Sequence, residues 1–337
     1  MKSYEELKEK ITLFIDEESK ETFDELILEA HAFQKNNCEI LRKYSDLHCK
    51  SPSSWREIVP IPTEAFKNTE KLISFPEKNI TKTFLTSGTT GDKQGEHHFC
   101  DTSIYEKSIL ATWNKLNLPK LPLICLTQSP QVNTTSSLIH MFNTLGGKYL
   151  INSSGQINID KINSFLTKIN HPIILSGTAL AFLYLLQNSN QPEVKLPSGS
   201  WILETGGYKG KKTTISKNSF YSKISKIFCI PIDNIINEYS MTELSSQFYS
   251  NGLNRTHKSA HWLKTRVVIP GQNNEVRDGE KGLLAIYDLA NLGSSVAIMT
   301  GDVAIKRGED FELVGRDDKL PQRGCSLAAE ESISSHN

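Results

Sequence analysis

Four short motifs combine glycine, hydroxyl, aromatic and charged side chains in a way that favours nucleotide chemistry. Each motif alone is compatible with an ordinary turn. Their order and separations along one chain indicate a single nucleotide-handling site. In chain order the motifs are Thr86-Ser87-Gly88-Thr89-Thr90-Gly91, Tyr239-Ser240-Met241-Thr242-Glu243, Thr300-Gly301-Asp302 and Gly315-Arg316-Asp317-Asp318-Lys319.

The first motif follows a predicted strand, Thr83–Thr86, and has the composition of a phosphate-binding loop. Glycine lets the backbone approach a ligand closely, and hydroxyls and successive N–H groups can surround phosphate oxygens. A plain Gly/Ser/Thr turn is the alternative interpretation. The spacing GxxxxGK[ST] is absent, so the sequence disfavours a P-loop NTPase.

The second motif closes another predicted strand, Ile235–Tyr239. Tyr239 offers an aromatic face to a base, and Thr242 offers a hydroxyl to a phosphate. Glu243 offers a hard oxygen to Mg²⁺, which binds through only one or two protein carboxylates. The same residues also fit a helix start, with Ser240 as the N-cap and Glu243 three residues on.

Three further positions complete the predicted nucleotide site. The strand Trp201–Glu204 runs into Gly206 and Gly207, against which a flat adenine could lie, although a tight turn is the simpler alternative. Asp302 could accept both ribose hydroxyls, and the alternative there is a hairpin turn. Arg316 lies in a polar segment that fits either a hinge or a surface turn.

Cys325 is the candidate nucleophile because it has cationic neighbours. Lys319 and Arg323 favour its thiolate form, whereas the common alternative is a buried, inert thiol. The six cysteines are scattered with no CxxC pair, which predicts reduced thiols and a cytoplasmic protein. The histidines do not predict a metal site: His97 and His98 are adjacent and would point apart on a strand.

Composition excludes several classes of protein. The chain has 337 residues and a formal net charge of zero, with no basic tract, so a nucleic-acid partner is not expected. No apolar run approaches the length of a membrane span. The acidic N-terminus has a helical pattern and does not resemble a signal peptide.

Predicted strands alternate with predicted helices in the middle of the chain, which favours a layered α/β fold with at least part of the sheet parallel. Residues 1–45 predict two amphipathic helices, and the prolines of residues 51–80 predict an extended connecting arm. After residue 260 the pattern becomes β-rich. The predicted organisation is therefore 1–80 helices and arm, 81–314 α/β core, and 315–337 hinge and short tail.

Together the four motifs resemble those of the adenylate-forming superfamily, which includes acyl-CoA synthetases, adenylation domains and luciferases. Within it the chain looks most like the LuxE-type acyl-protein synthetases: the chain ends soon after the hinge motif, the arm around Ile58–Lys67 is similar, and a cysteine lies near the C-terminus. This resemblance implies the superfamily fold, with a C-terminal lid domain essentially absent.

The resemblance also implies an activity and roles for the motif residues. A carboxylic acid, in this family a fatty acid, would be activated by ATP and Mg²⁺ as acyl-AMP and transferred to Cys325. The acyl group would then pass to a protein partner, such as a reductase or a carrier protein. Two alternatives remain open: a ligase that delivers the acyl group to coenzyme A or a carrier-protein thiol, and a non-catalytic nucleotide-binding subunit.

The resemblance further implies a role for each motif residue. These roles are phosphate binding by Thr86, Ser87, Gly88, Thr89 and Thr90 in the loop that ends at Gly91, magnesium binding by Glu243, adenine binding by Gly206, Gly207 and Tyr239, and ribose binding by Asp302 and Arg316.

The chain departs from the superfamily pattern in three places. Ser240 replaces a glycine of the second motif. The loop continues Asp92-Lys93-Gln94-Gly95 where relatives have x-Pro-Lys-Gly. The lid lysine that drives adenylation in larger relatives has no counterpart here. Lys93, Lys319 and Arg316 are the candidates for its positive charge, and the sequence does not choose among them.

Overall fold

The computed structural model describes residues 2–49, 51–67, 70–86, 93–188, 194–206 and 215–316. This part of the chain contains the following helices: α1 Tyr4–Ile15, α2 Phe23–Asn37, α3 Glu39–His48, α4 Ser103–Lys115, α5 Ser137–Thr144, α6 Ile159–Leu166, α7 Ala179–Asn188 and α8 Lys217–Phe228. Its strands are β1 Ile61–Pro62, β2 Lys82–Leu85, β3 Glu96–Phe99, β4 Leu123–Cys125, β5 Lys148–Tyr149, β6 Ile174–Thr178, β7 Trp201–Thr205, β8 Ile235–Tyr239, β9 Phe248–Asn251, β10 Thr256–His257, β11 Leu263–Val268, β12 Lys281–Asp288, β13 Ala297–Arg307 and β14 Asp310–Arg316.

The chain folds as two compact units that interleave in sequence. The first unit comprises Met1–Lys115, Met241–Gln247 and Thr256–Asn337, and the second comprises Leu116–Ser240 and Phe248–Arg255. The second motif therefore spans both units, because the chain leaves the second unit after Ser240. Tyr239 belongs to the second unit, and Thr242 and Glu243 belong to the first.

The second unit is a layered α/β structure built on a six-stranded sheet of order β5-β4-β6-β7-β8-β9. All neighbours are parallel except β8 and β9. The helices contribute Leu166, Phe182 and Ile224 to a buried core against strand residues such as Leu175 and Ile202. Parallel strands joined through helices that cover the sheet form the architecture that the alternating pattern predicts.

The first unit contains the β-rich part of the chain. Its main sheet has the antiparallel order β10-β14-β13-β12-β11, and β1 from the arm pairs with β13 in parallel. The β2–β3 hairpin forms a separate two-stranded sheet. Helix α1 begins with a capping box, in which the Ser3 hydroxyl accepts from the Glu6 N–H while the Glu6 carboxylate accepts from the Ser3 N–H.

Two details of the first unit differ from the sequence prediction. The N-terminal region forms three helices instead of two, because Cys38 takes an extended backbone conformation (φ −128°) between α2 and α3. The hairpin turn that was the alternative for Asp302 is absent, because Ala297–Arg307 form one strand, β13. Gly301-Asp302 makes no hairpin turn, because β12 pairs with β13 on both sides of this dipeptide.

A buried arginine fastens the connecting arm to the main sheet of the first unit. Arg266 on β11 is 6% exposed and donates to the Arg56 carbonyl oxygen at 2.7 Å. It also donates to Glu275 Oε1 and Tyr287 Oη, at 3.0 and 3.2 Å. Tyr287 in turn donates to the Ile58 carbonyl oxygen at 3.0 Å. Arg266 therefore fixes the arm where it approaches β1.

We expect Arg266→Met to lower the free energy of unfolding by about 3 kcal/mol, because it leaves buried acceptors without their charged donor. Urea unfolding followed by circular dichroism would measure the change. The matched control is Arg307→Met: Arg307 pairs with Glu312 on the sheet surface, where loss of an ion pair costs less than about 1 kcal/mol. Equal losses for the two variants would contradict the anchoring role.

Candidate functional site

Thr242 and Glu243 lie in a tight turn of the first unit that is held from several sides. Leu244 N–H donates to the Met241 carbonyl oxygen at 3.1 Å, and no helix begins here. Asn291 Nδ2 donates to the Glu243 carbonyl oxygen at 2.7 Å. The capping-box alternative for Ser240 and Glu243 is therefore wrong. The carbonyl groups of this turn accept hydrogen bonds from distant side chains instead of from a following helical turn.

Asp288, at the end of β12, fixes the residues that follow Glu243. Its carboxylate accepts from Ser245 N–H at 3.0 Å, from the Ser246 hydroxyl at 2.8 Å and from Ala290 N–H at 2.9 Å. Burial raises the pKa of Asp288 to about 6, and these donors offset part of that effect. Because every one of these contacts favours the carboxylate, Asp288 holds the turn through charge-assisted hydrogen bonds.

His97 on β3 is the third support of the turn. Its Nδ1 lies 2.7 Å from the Thr242 carbonyl oxygen, which can only accept, so Nδ1 carries the hydrogen. Burial lowers the pKa of His97 to about 4, and the ring is therefore neutral near pH 7. Its Nε2 then accepts from the Ser294 hydroxyl at 2.9 Å. Since the folded-state pKa is depressed, this contribution to stability is complete above about pH 6.5 and is lost as pH falls towards 4.

We expect His97→Phe to cost about 2 kcal/mol of stability, because the Thr242 carbonyl loses its buried donor. The same change should slow about tenfold the acyl-AMP formation that the motif resemblance implies. Rates of ATP–pyrophosphate exchange and urea unfolding would measure the two effects. The matched control is His98→Phe on the same strand. His98 contacts the Thr83 hydroxyl at 2.8 Å, and its loss should cost stability with little change in rate. Equal rate losses would show that His97 has no special role.

The base of the first motif is a closed hairpin stem. Thr86 N–H donates to the Gly95 carbonyl oxygen at 2.9 Å, and Gly95 N–H donates to the Thr86 hydroxyl oxygen at 2.8 Å. A side chain at Gly95 would meet Thr86 Cγ2 at 3.0 Å, so this close approach favours glycine. The Thr242 hydroxyl lies 3.5 Å from the Leu85 carbonyl oxygen, which places the turn beside this stem. Lys93 lies on the same hairpin and is exposed.

Asp302 projects from an irregular part of β13. Register with β12 shifts between Leu283 and Ala285, which pair with Val303 and Met299, so residues 300–302 form a bulge. The Thr300 hydroxyl donates to the Leu284 carbonyl oxygen at 2.8 Å and accepts from Asp302 N–H at 3.1 Å. Arg316 Nε donates to Asp302 Oδ1 at 3.0 Å from the paired position on β14. The structure thus brings the third and fourth motifs together.

In the second unit, Gly206 and Tyr239 follow paired positions on β7 and β8. Thr205 pairs with Glu238, so the next residue on each strand is Gly206 and Tyr239 respectively. Gly206 has φ +74°, a left-handed conformation that favours glycine. Apart from its chain neighbours, no atom of the described residues lies within 4 Å of where a Cβ would be. The ends of these two strands therefore place Gly206 and Tyr239 at neighbouring positions of the sheet.

Comparison of the chain with known protein families identifies the family to which it belongs. Residues 134–334 match the family described as acyl-protein synthetase, LuxE. The chain belongs to the LuxE acyl-protein synthetase family. The matched segment covers three of the four motifs and Cys325. Membership places the chain among ligases and confirms the resemblance drawn from its motifs.

One relative of this LuxE-family chain is the long-chain-fatty-acid–luciferin-component ligase of Aliivibrio fischeri. The two are 25% identical over 343 residues, which cover 93% of this chain and 89% of the relative.

Solved structures of adenylate-forming ligases share the fold. 2-Hydroxyisobutyryl-CoA ligase in complex with 2-HIB-AMP has a TM-score of 0.66 at 14% identity, over 92% of this chain and 72% of the ligase. ATP-bound MatB from Rhodopseudomonas palustris has a TM-score of 0.53 at 13% identity, over 72% of this chain. The LuxE-family chain spans about half the length of MatB, 49% of it. These likenesses confirm the predicted adenylate-forming α/β fold.

Several predicted site residues of this LuxE-family chain lie outside the described residues, and their roles stay predictions. They are Ser87, Gly88, Thr89, Thr90, Gly91, Gly207 and Cys325. Among the residues that are described, no helix has both the length and the apolar character needed to cross a bilayer. In the same part of the chain, no three His, Cys, Asp or Glu side chains gather where they could hold a metal ion.

Motif analysis of the LuxE-family chain missed the residues that hold the motifs in place. His97 belongs to no motif that indicates this role, and its contact with Thr242 joins positions 145 residues apart. Asn291 and Asp288 have no motif of their own. A signal did exist in β8, where Asn237 and Glu238 interrupt an otherwise apolar buried strand, because polar side chains in such a strand need partners.

Proposed function

We propose that this chain activates a fatty acid with ATP as acyl-AMP and transfers the acyl group to its own Cys325. The observation that carries the proposal is the family match over residues 134–334, which includes Cys325 as well as the motifs around Glu243, Asp302 and Arg316. Family membership and the adenylate-forming fold support acyl activation. The transfer to Cys325 and the later acceptor are the finer parts of the proposal.

We assign each motif to one part of the nucleotide: the phosphates, the adenine or the ribose. We assign the phosphates to Thr86 and the loop through Thr90, with Lys93 nearby on the same hairpin, and to the Thr242 hydroxyl. We assign the adenine to Gly206, Gly207 and Tyr239, and the neighbouring positions of Gly206 and Tyr239 after β7 and β8 support this assignment. Asp302, presented by its bulge, accepts the ribose hydroxyls, and Arg316 orients its carboxylate through the 3.0 Å contact.

Glu243 is the residue that we assign to Mg²⁺. Its side chain belongs to a turn that Asn291, Asp288 and His97 hold through backbone groups, and these contacts fix the position from which the carboxylate extends. One carboxylate together with substrate phosphates is a common magnesium environment. When bound, the ion would neutralise charge on the phosphates.

The first half-reaction needs positioning and charge stabilisation more than covalent chemistry from the protein. A substrate carboxylate oxygen attacks the α-phosphorus, the bond from that phosphorus to the bridging oxygen breaks, and pyrophosphate leaves. The hairpin stem closed by Thr86 and Gly95 and the turn held by His97 give the phosphate-binding groups of the first unit fixed positions.

In the second half-reaction the Cys325 thiolate attacks the acyl carbonyl carbon. The carbon–oxygen bond to AMP breaks, a thioester forms and AMP leaves with the electron pair. In the sequence, Lys319 and Arg323 lie close to Cys325, and cations near a thiol favour its thiolate form. The acyl group then passes to an accepting protein, for which a reductase or a carrier protein is the expected type.

The fatty-acid assignment has two supports. The Aliivibrio fischeri relative is named as a long-chain-fatty-acid ligase. In addition, the apolar ranges 125–145 and 176–186 begin at Cys125 and Ser176, which pair on neighbouring strands. Along the strand order, β4 is followed by its neighbour β5 in one direction and β6 by its neighbour β7 in the other. Open α/β sheets bind ligands outside the carboxyl ends of the strands at such a point. Leu126, Phe142 and Phe182 are apolar residues in these ranges.

Intact-protein mass spectrometry would test the proposal. The chain is incubated with ATP, Mg²⁺ and a panel of fatty and aromatic acids, then treated with hydroxylamine. A hydroxylamine-labile mass gain that maps to Cys325 is the expected result. An ATP analogue with a non-cleavable α–β bridge is the matched control and should give no label. Pyrophosphate exchange without label would indicate an external thiol acceptor, and neither signal would indicate a non-catalytic subunit.

A further inference from the structure

A buried carboxyl group connects the two strand ends to which we assign adenine. Glu238 on β8 is 1% exposed, and its Oε2 accepts from the Thr205 hydroxyl on β7. Thr205 directly precedes Gly206, and Glu238 directly precedes Tyr239. The Ser240 hydroxyl, on the far side of Tyr239, lies close enough to lower the pKa of Glu238. One carboxyl group thus contacts residues on both sides of the adenine positions.

The two buried carboxyl groups in this region have different environments. Glu204 Oε1 accepts from Tyr221 Oη and from Asn237 Nδ2, each at 2.6 Å. Glu238 Oε1, in contrast, is buried and has no well-formed hydrogen bond within the described residues. A buried carboxylate with an unsatisfied oxygen is costly, so Glu238 takes up a proton at a higher pH than an exposed carboxylate does.

Its surroundings set the range in which Glu238 titrates. Burial raises the pKa of Glu238 to about 7; Ser240 and Thr205 oppose the rise, and the nearby Glu204 carboxyl adds to it. Among the described residues, the other titratable groups on the packed elements are Tyr221 and Lys217 on α8, which act on Glu204, and Tyr249 on β9, which is paired with Glu238. Glu238 therefore changes its charge near neutral pH.

We propose that Glu238, through Thr205 and Ser240, positions Gly206 and Tyr239 for the nucleotide base and makes base affinity depend on its ionisation. Hydroxyl donors bind a carboxylate more strongly than a neutral carboxyl group. The strand ends are therefore held most firmly when Glu238 is ionised, and affinity rises as pH increases through about 7. Ser240 stands where the superfamily motif has glycine, so this contact belongs to the chain's own sequence. The inference rests on the proposed use of an adenine nucleotide.

Glu238 also makes the stability of the fold depend on pH, and this dependence has the opposite sign to that of base affinity. A folded-state pKa raised from 4.5 to about 7 means that the protonated form stabilises the fold. This contribution is complete below about pH 4.5 and is lost as pH rises through about 7. Glu238 thus favours stability at low pH and base positioning at high pH. A purely structural role would produce only the first dependence.

Adenosine is the probe that isolates this effect, because it has no phosphate and no group that titrates near neutrality. Calorimetric titration of the unsubstituted chain from about pH 5.5 to about pH 8.5 should show the dissociation constant falling about tenfold, the scale of one hydrogen bond to a charged group. The Glu238→Gln variant should bind weakly at every pH. The same pH dependence in this variant would overturn the proposal.

Substitutions at two residues near Glu238 should shift the pH midpoint of the change in adenosine affinity, in opposite directions. Ser240→Ala removes a hydroxyl that lowers the pKa of Glu238, so the affinity transition should move to higher pH. Glu204→Gln removes a carboxyl that raises this pKa, so the transition should move to lower pH with its amplitude kept. These shifts decide the matter even if Glu238→Gln does not fold. Shifts of the same sign, or none, would overturn the proposal.

Failure of this inference can be distinguished from failure of the proposed function. If the unsubstituted chain binds Mg²⁺-ATP while adenosine affinity is independent of pH, the positioning role is wrong and nucleotide use stands. If it binds neither ATP nor adenosine at any pH, nucleotide use is wrong and the positioning role falls with it.

Discussion

Replacement of Cys325 by serine is expected to abolish the hydroxylamine-labile acyl-enzyme and to leave ATP–pyrophosphate exchange within about twofold of the unsubstituted rate. The reason is that the thiolate enters only the second half-reaction, after acyl-AMP has formed. A serine hydroxyl is not ionised at neutral pH, and any ester that it formed would resist hydroxylamine. Intact mass and exchange rate measured on the same sample would separate the two half-reactions.

Cys229→Ser provides the matched control for this experiment. Cys229 is an exposed cysteine at the C-terminal end of α8, so it is open to non-specific acylation by a released acyl-AMP. The Cys229 variant should keep the full mass gain. If Cys325→Ser retained a hydroxylamine-labile label, Cys325 would not be the acceptor. If label vanished from the Cys229 variant instead, chemical acylation of an exposed thiol would explain it.

The α/β class was predictable because the period of apolar residues is a local property. The predicted strand Ile235–Tyr239 coincides with β8, and the predicted strand Trp201–Glu204 differs from β7 by one residue. Each is a short apolar run bounded by polar or glycine residues, which is the pattern of a buried parallel strand. What the pattern could not give was the order of the strands in the sheet, because order depends on pairing between distant segments.

The region around Asp302 shows where local pattern fails. Glycine followed by aspartate is typical both of a hairpin turn and of a bulge within a strand. The choice is made by β12, which pairs with Met299 on one side of the dipeptide and with Val303 on the other. A long-range partner therefore decided the conformation of a local motif. A second one, β14, pairs with β13 and places Arg316 beside Asp302.

In the candidate site, too, local sequence predicts some features and distant partners determine the others. Motif residues such as Glu243 could be predicted from the sequence because residue type and order indicate their chemistry. The groups that hold them could not, since His97 and Asn291 reach the turn from positions far away in the chain. A helix at this turn would have used the same carbonyl oxygens, so these distant side chains also explain why the local capping pattern was not realised.

The second large effect is expected at Glu243. Glu243→Gln should reduce acyl-AMP formation by roughly a thousandfold. The substitution preserves the size of the side chain but removes the negative charge of the carboxylate that we propose binds Mg²⁺. The backbone contacts from Asn291 and His97 do not involve the Glu243 side chain, so the turn should keep its shape. ATP–pyrophosphate exchange measured against Mg²⁺ concentration would test this expectation.

The dependence on Mg²⁺ separates a metal-binding role from a structural one. If Glu243 binds the ion, high Mg²⁺ or Mn²⁺ should restore part of the lost rate, because the weakened site is filled by mass action. The matched control is Glu312→Gln, which removes a carboxylate that pairs with Arg307 on the surface of the same unit. Its Mg²⁺ dependence should equal that of the unsubstituted chain. An unchanged exchange rate in Glu243→Gln would contradict the assignment, and a loss that no metal concentration relieves would assign Glu243 to the structure of the turn.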